Sequence, residues 1–218
     1  EELSEKEEEL SENEVKDNLK DQSFDVAKYL AIIMNVIKQV TGNVVLRHTQ
    51  IISILTLWKN DQKGVMVQIG TGEGKTFIAI AFAILKFLEA KKNSKKPSVH
   101  IITSSIILAE RDAINEINKK IYEAFGIKVG HNCDKDLDKR RDVYNQCQVI
   151  YGNLGNFQRD YLLTVFYDLE LLKEDLLQTV IVDEVDSIVL DKGNNILYLN
   201  QQIPGIDEIE SVFLFIWQ

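Results

Sequence analysis

Residues 70–76 read GTGEGKT, and they follow the short β-branched run GVMVQ at residues 64–68. An apolar run with helical spacing, residues 77–90, comes directly after them. Strand, glycine-rich loop and helix in this order form the setting of a phosphate-binding loop, in which backbone N–H groups and the helix N-terminus face the phosphates. The order therefore predicts that residues 64–68 form a strand and that the loop after them binds a nucleotide.

The residue types within the loop suit a triphosphate and its magnesium ion. Gly72 and Gly74 let the backbone wrap a β-phosphate, and Lys75 spans the β and γ oxygens as a catalytic cation. The Thr76 hydroxyl is a ligand for Mg²⁺. The strict pattern has an earlier glycine where this chain has Ile69. The predicted cofactor-binding residues of the loop are Gly70, Thr71, Gly72, Glu73, Gly74, Lys75 and Thr76.

Two carboxylates at the end of an apolar strand supply the second half of such a site. Residues 179–184 read TVIVDE, and a continuous apolar run of this kind is typical of a central strand in a parallel sheet. We expect Asp183 to hold Mg²⁺ and Glu184 to act as the general base on the attacking water. An unpaired carboxylate pair on an apolar strand is costly unless a cation lies near it.

Alternation of apolar strands and helical runs predicts the fold class. The pattern indicates an α/β RecA-like P-loop NTPase domain with a doubly wound, mostly parallel sheet and an N-terminal helical extension. Residues 132–146 are polar and are expected at the surface. An acidic segment, helical or loose, is predicted at residues 1–23, and the ATP-binding domain at residues 24–218. The other predicted helices cover residues 24–40, 49–59, 105–125 and 153–172, and the other strands residues 99–103, 127–130 and 148–151.

Composition narrows the class of protein. Hydrophobic residues make up 45% and charged residues 27% of the 218, as in an ordinary globular protein. Residues 1–25 contribute −8 to the net charge of −9, and no basic stripe with interleaved aromatics stands out, which argues against a nucleic-acid partner. The chain has neither a membrane-spanning apolar run nor a signal-like start, so we expect a cytoplasmic protein, with peripheral membrane association left open.

The cysteines and histidines show no metal-binding pattern in the sequence. Cys133 and Cys147 lack a CxxC arrangement, which argues against a zinc site or a disulfide framework. His48, His100 and His131 lie on separate segments without a shared ligand spacing. We therefore expect ordinary structural roles for all five side chains.

Five collinear motifs resemble a known family. They are TGEGKT at residues 71–76, VHIIT at 99–103, LAERDA at 108–113, YGN at 151–153 with Phe157 and DYL at 160–162, and IVDEVDSI at 181–188. Together they resemble the first ATPase domain of the SecA preprotein translocase motors, which are related to DEAD-box helicases. The match runs in order over most of the chain, and it extends to the SecA-like domains of larger eukaryotic proteins.

The resemblance implies roles that the motifs alone do not. It implies that Gln50, in the sequence RHTQ that begins at Arg47, reads the adenine edge, and that Arg47 belongs to the same nucleotide site. Arg111 and Asp112 fall in the segment that relays nucleotide state in this family, although a structural role on a helix surface suits them equally. The family also has a second RecA-like lobe that closes over the nucleotide with arginine residues, which we do not find in this sequence.

Three functions follow from these observations. The first is the ATP-binding and ATP-hydrolysing lobe of a SecA-like motor, with ATP or ADP and Mg²⁺ as cofactors and a protein substrate or translocation machinery as partner. The second is a lobe of a DEAD-box-like nucleic-acid helicase, and the third is a nucleotide-dependent switch or scaffold domain within a larger protein. The first predicts weak nucleotide binding and slow turnover for this chain by itself.

Overall fold

The computed structural model describes residues 24–61, 64–93, 97–167, 169, 171–172 and 178–191. The predicted acidic segment at residues 1–23 lies outside the described residues, as does the part of the predicted domain after residue 191. Within the described part of the chain, no helix is both long enough and apolar enough to cross a bilayer.

A four-stranded parallel sheet lies at the centre of the described structure. Its strands are β1 (Val99–Thr103), β2 (Val129–His131), β3 (Val149–Asn153) and β4 (Thr179–Val182). The strands are arranged in the order β2-β3-β1-β4, and each neighbouring pair is parallel. The structure is therefore α/β with a parallel sheet, consistent with the RecA-like class that the sequence predicts.

Seven helices connect or flank these strands in the described ranges. They are α1 (Val26–Thr41), α2 (His48–Asn60), α3 (Lys75–Lys92), α4 (Ile106–Ile114), α5 (Glu116–Glu123), α6 (Leu137–Gln146) and α7 (Leu154–Tyr167). A single π-helical turn, Ser187–Asp191, follows β4.

Helix α3 forms the middle of the hydrophobic core. Ile80, Ile84 and Leu85 are fully buried, because α1, α2 and α5 pack on this helix and β1 and β4 lie against it as well. Enclosure from several sides explains why α3 is apolar over most of its surface. Since α3 also begins at the predicted phosphate loop, the core holds the start of that helix in place.

Helix α1 has termini that its sequence explains. The Asp25 carboxylate accepts hydrogen bonds from the backbone N–H groups of Ala27 and Lys28 at 3.0 and 3.2 Å, which caps the N-terminus. Gly42 adopts a left-handed conformation (φ 69°) and caps the C-terminal end. The helix predicted at residues 24–40 is thus confirmed, while residues 1–23 lie outside the described residues.

Two strand predictions were wrong. Residues 64–68 form no strand and do not join the described sheet; Gly64 turns with φ 68° and Met66 is 80% exposed. Strand β4 is not central but lies at the edge of the described sheet, and its side chains Val180 and Val182 are 44% and 42% exposed.

Two helix predictions and one surface prediction also need correction. The run at residues 105–125 is broken at Asn115, whose φ of −57° and ψ of 123° are not helical and whose side chain caps α5. The helix predicted to reach residue 172 ends at Tyr167. The polar segment 132–146 is only partly exposed, because Asn132, Arg140 and Tyr144 are buried in an internal polar network.

Candidate nucleotide-binding site

The loop at residues 70–74 takes the conformation that its glycines permit. Gly72 and Gly74 have φ values of 82° and 74°, in the left-handed region that side chains with a Cβ rarely adopt. Gly74 is the N-cap of α3 and Lys75 is the first residue of the helix. The chain therefore turns from the loop directly into a helix N-terminus, where free N–H groups and the helix dipole favour an anion.

Gln50 holds the C-terminal end of this loop. Its side chain is 5% exposed, and its Nε2 donates to the carbonyl oxygens of Glu73 at 2.8 Å and Gly74 at 3.4 Å. Its Oε1 accepts a hydrogen bond from the backbone N–H of Arg47 at 2.7 Å. The Arg47 guanidinium in turn pairs with the Glu73 carboxylate at 2.8 Å. The structure thus brings together Gln50 of α2, the N-cap residue Arg47 and the loop, which the family resemblance assigned to one site.

An open cleft lies between α2 and the loop. Its volume is about 270 Å³, which is close to the small end of the range for ligand sites. It is lined by Thr49, Gln50, Ser53, Gln68, Ile69, Gly70, Glu73 and Ile78. Hydroxyl and amide groups on one wall and isoleucine side chains on the other suit a flat heterocycle with polar edges.

The acid pair follows β4 at the carboxyl end of the sheet. The Asp183 N–H donates to the Ile102 carbonyl at 2.8 Å, which continues the pairing of β4 with β1. Glu184 has a φ of 54°, unusual for a residue with a side chain, and its N–H donates to Asp183 Oδ1 at 3.0 Å. The Ser104 hydroxyl, at the end of β1, donates to the Glu184 carboxylate.

Asp183 lies in an electrostatic field shared with the loop. Burial and the negative charge of Glu184 raise the pKa of the Asp183 carboxyl, while the ammonium group of Lys75 acts in the opposite direction. Lys75 and Asp183 are therefore close enough for their charges to interact. Carboxylate oxygens and the hydroxyl of Thr76 are hard donors of the kind that Mg²⁺ prefers, so the residues present fit this ion.

Arg111 and Asp112 of α4 border the same acid pair. Arg111 Nε donates to Asp112 Oδ1 at 2.8 Å, and the Asp112 carbonyl accepts a hydrogen bond from Asn118 Nδ2 at 3.0 Å. The pKa of the Arg111 guanidinium is raised mainly by Asp112, with further contributions from Asp183 and Glu184. Arg111 is thus within electrostatic reach of the acid pair, and both the relay of nucleotide state and a structural role on the helix surface stay predictions for it.

Sequence reasoning missed two features of this edge of the sheet. The first is Ser104, whose contact with Glu184 depends on the register of β1 beside β4. The second is a buried network around Asp160, which carries ion pairs to Arg140 at 3.0 Å and Arg159 at 3.1 Å. Its only signal in the sequence is the position of Asp160 within the motif DYL at 160–162.

Comparisons with known proteins agree with these motifs. A family model described as the SecA DEAD-like domain matches residues 1–213. The chain is similar to the protein translocase subunit SecA of Ehrlichia chaffeensis, with 36% identity over 146 residues, or 65% of this chain and 16% of the relative. It is 38% identical over 143 residues to the same subunit of Clostridium kluyveri, covering 63% and 16% of the two chains. The same subunit of Francisella philomiragia is 35% identical over 153 residues, which are 69% of this chain and 16% of the relative.

Proposed function

This chain belongs to the SecA DEAD-like domain family, and from that premise we propose that it is the ATP-binding and ATP-hydrolysing lobe of a SecA-like motor. The observation that carries the proposal is the loop at residues 70–74, whose left-handed Gly72 and Gly74 lead directly into the N-terminus of α3 at Lys75. A phosphate loop and an acid pair are the two halves of an NTP-hydrolysing site.

Binding of the nucleotide uses the cleft and the helix N-terminus together. The adenine ring lies in the cleft between α2 and the loop, and Gln50 exchanges its bonds to the Glu73 and Gly74 carbonyls for bonds to the polar edge of the ring. The phosphates lie on the N–H groups of the loop, and the Lys75 ammonium neutralises their oxygens. Arg47 supports this arrangement through its ion pair with Glu73.

Hydrolysis then requires a base and a metal-binding acid, which the segment after β4 supplies. Thr76 and Asp183 are the residues that would hold Mg²⁺, and the ion would neutralise charge on the phosphate oxygens. Glu184 takes a proton from water as the water oxygen bonds to the γ-phosphorus and the bond to the bridging oxygen breaks, leaving ADP and phosphate. The Ser104 hydroxyl orients the Glu184 carboxylate for this step.

The chain spans 16% of the length of the curated relatives, so the motor itself includes parts beyond this lobe. We propose a second RecA-like lobe that closes over the nucleotide and contributes arginine side chains to the γ-phosphate. Such an arginine is worth about 10³–10⁵ in turnover in related NTPases. A protein substrate, translocation machinery and peripheral contact with a membrane from the cytoplasm belong to the same proposal.

Binding of a fluorescent ADP analogue with Mg²⁺ tests the lobe assignment. We expect saturable binding by the full chain, a loss of about 100-fold in affinity in Lys75→Ala, and unchanged affinity in Lys120→Ala, a lysine exposed on α5. Phosphate release from ATP should be slow. Absence of binding contradicts the nucleotide site, and rapid turnover contradicts the need for a second lobe. Salt-dependent RNA binding would favour the helicase alternative instead.

A further inference from the structure

Three potential metal ligands meet on a part of the fold that the nucleotide site does not use. Glu110, His131 and Cys133 each offer one ligand atom, a carboxylate oxygen, an imidazole nitrogen and a thiol sulfur, and these atoms all lie within 4.8 Å of one another. All three side chains are half-buried. The group therefore differs from an exposed acidic cluster in both chemistry and environment.

Two of the ligands are placed by one short stretch of rigid backbone. His131 ends β2 and Cys133 follows two residues later, after a bend at Asn132, so the two ligands lie close together in the chain. The residue between them, Asn132, is fully buried; its N–H donates to the Tyr151 carbonyl at 3.0 Å and its carbonyl accepts from Arg159 at 3.1 Å. The Cys133 N–H donates to His131 Nδ1 at 3.3 Å, a long hydrogen bond that a cation on this nitrogen would replace at small cost.

The third ligand comes from a different element. Glu110 lies in α4, which packs against β2 and is capped at its start by the Ser105 hydroxyl. The Arg159 guanidinium acts electrostatically on Cys133 and opposes a cation; Asp160, which is shared with Arg140, offsets only part of this charge through an ion pair at 3.1 Å, and the Glu110 carboxylate adds a negative charge at the site itself. The site is thus formed by two elements that are distant in sequence, which is why neither CxxC spacing nor the isolated histidines revealed it.

The mixture of ligands selects the kind of ion. Mg²⁺ and Ca²⁺ take oxygen ligands, whereas a thiolate, an imidazole and a carboxylate together suit Zn²⁺, with a water molecule in the fourth position. Tetrahedral ligands on zinc are separated by roughly 3.3–3.8 Å, so small side-chain rotations bring the three atoms to that spacing. We propose that Glu110, His131 and Cys133 bind one Zn²⁺ ion, which links α4 to β2.

Binding at this site has a defined chemistry and a structural consequence. The Cys133 thiol gives up its proton to solvent as the sulfur–zinc bond forms, while His131 binds through a neutral ring nitrogen. Because Arg111 follows Glu110 directly and borders Asp183 and Glu184, the ion would hold α4 at a fixed position beside the acid pair. Metal binding at this site needs no nucleotide, so its test is independent of the proposed ATPase function.

Titration of the full chain with Co²⁺, which substitutes for Zn²⁺ and absorbs light, tests the proposal. We expect one ion per chain, a thiolate-to-cobalt charge-transfer band in the near ultraviolet, and loss of the spectrum when Zn²⁺ is added. Cys133→Ser should abolish the band, and Cys147→Ser, a change at the other half-buried cysteine, should keep it. Saturating Mg²⁺ and ADP keep Co²⁺ out of the Thr76 and Asp183 site, which contains no sulfur.

Glu110→Gln and His131→Gln separate the metal site from general folding effects, because both retain the thiol. Each should lower the affinity for Co²⁺ by at least about tenfold, while the circular dichroism spectrum stays that of the parent chain. A charge-transfer band that is absent from the parent chain, or that survives Cys133→Ser, overturns the proposal. Unchanged affinity in both Glu110→Gln and His131→Gln overturns it as well.

Discussion

The network around Asp160 and the phosphate loop at residues 70–74 are held in opposite ways. Asp160 is fully buried, and its two carboxylate oxygens contact two guanidinium groups, the Tyr144 hydroxyl and the Asn132 amide. The loop is exposed at residues 70–72, and the described side-chain contacts that restrain it come from Gln50 and Arg47. The comparison separates a rigid scaffold from a segment whose polar groups remain available to a ligand.

Replacing Asp160 with asparagine should have the largest effect, because it tests the scaffold directly. The change removes the negative charge that two buried or partly buried arginines face, and leaving such charges unpaired costs about 3–5 kcal/mol. Urea unfolding followed by circular dichroism measures the loss. The matched control is Asp138→Asn, which breaks the exposed pair with Arg141 and should change stability by less than about 0.5 kcal/mol. Equal shifts in the two variants would contradict the distinction.

Acid should weaken the scaffold through His100, which stands on β1 beside the Phe157 ring at 5.3 Å. Burial lowers the pKa of His100 to about 4, and its Nδ1 has no hydrogen-bond partner among the described residues. Between about pH 6.5 and pH 4 the unfolded chain therefore takes up a proton that the folded chain does not, and stability falls as the pH falls through this window.

The contribution of His100 is isolated by comparing variants at two pH values. Between pH 7.5 and pH 5, the parent chain should lose about 2 kcal/mol more than His100→Leu, as measured by urea unfolding at each pH. His48→Leu, a change at an exposed histidine, should keep the pH dependence of the parent chain. If His100→Leu shows the same pH dependence as the parent, the buried histidine does not stay neutral in the folded state.

Gly74→Ala should act on the loop and spare the scaffold. A Cβ at Gly74 would lie 2.4 Å from Gln50 Nε2, and the residue has a φ of 74°, so both the amide contact and the turn must change. We expect at least about a tenfold loss of nucleotide affinity with a stability cost of about 1–2 kcal/mol. Gly126→Ala is the control, since Gly126 has a φ of 69° but open space around its Cβ position. We expect Gly126→Ala to lose part of the same stability and to keep its nucleotide affinity. Stability is measured by urea unfolding, and affinity with a fluorescent ADP analogue.

The fold was predictable where local pattern decides it. The apolar run of β1 and the helix after the glycine loop follow from periodicity, and Gly74 and Lys75 take their positions from local turn chemistry. The sequence of a strand does not show which strands lie beside it, so the edge position of β4 was not predicted. Asn115 was a readable signal, because asparagine is a frequent N-cap, and the predicted continuous helix overlooked it.

Only the two short sequence segments of the candidate site could be predicted, and not how they come together. The loop and the acid pair were each visible as short motifs, but the closeness of Ser104 and Arg111 to Glu184 depends on the parallel register of β1 and β4 and on the helix that follows β1. The Asp160 network joins α6, α7 and the residue after β2, which are far apart in sequence. Contacts between residues that are far apart in sequence produce no periodic pattern in a single sequence.

Arg47→Ala should have the smallest effect and is the sharpest test of how lightly the loop is held. Arg47 and Glu73 are 62% and 46% exposed, and an exposed ion pair contributes at most about 1 kcal/mol. A double-mutant cycle with Glu73→Ala, measured by urea unfolding at low and high salt, should give a coupling energy below about 1 kcal/mol that decreases with salt. Because Gln50 binds the backbone carbonyl of Glu73 rather than its carboxylate, the loop should keep its nucleotide affinity within a few-fold. A coupling above about 2 kcal/mol would mean that the loop is restrained as strongly as a buried charge network, and the contrast with Asp160 would not hold.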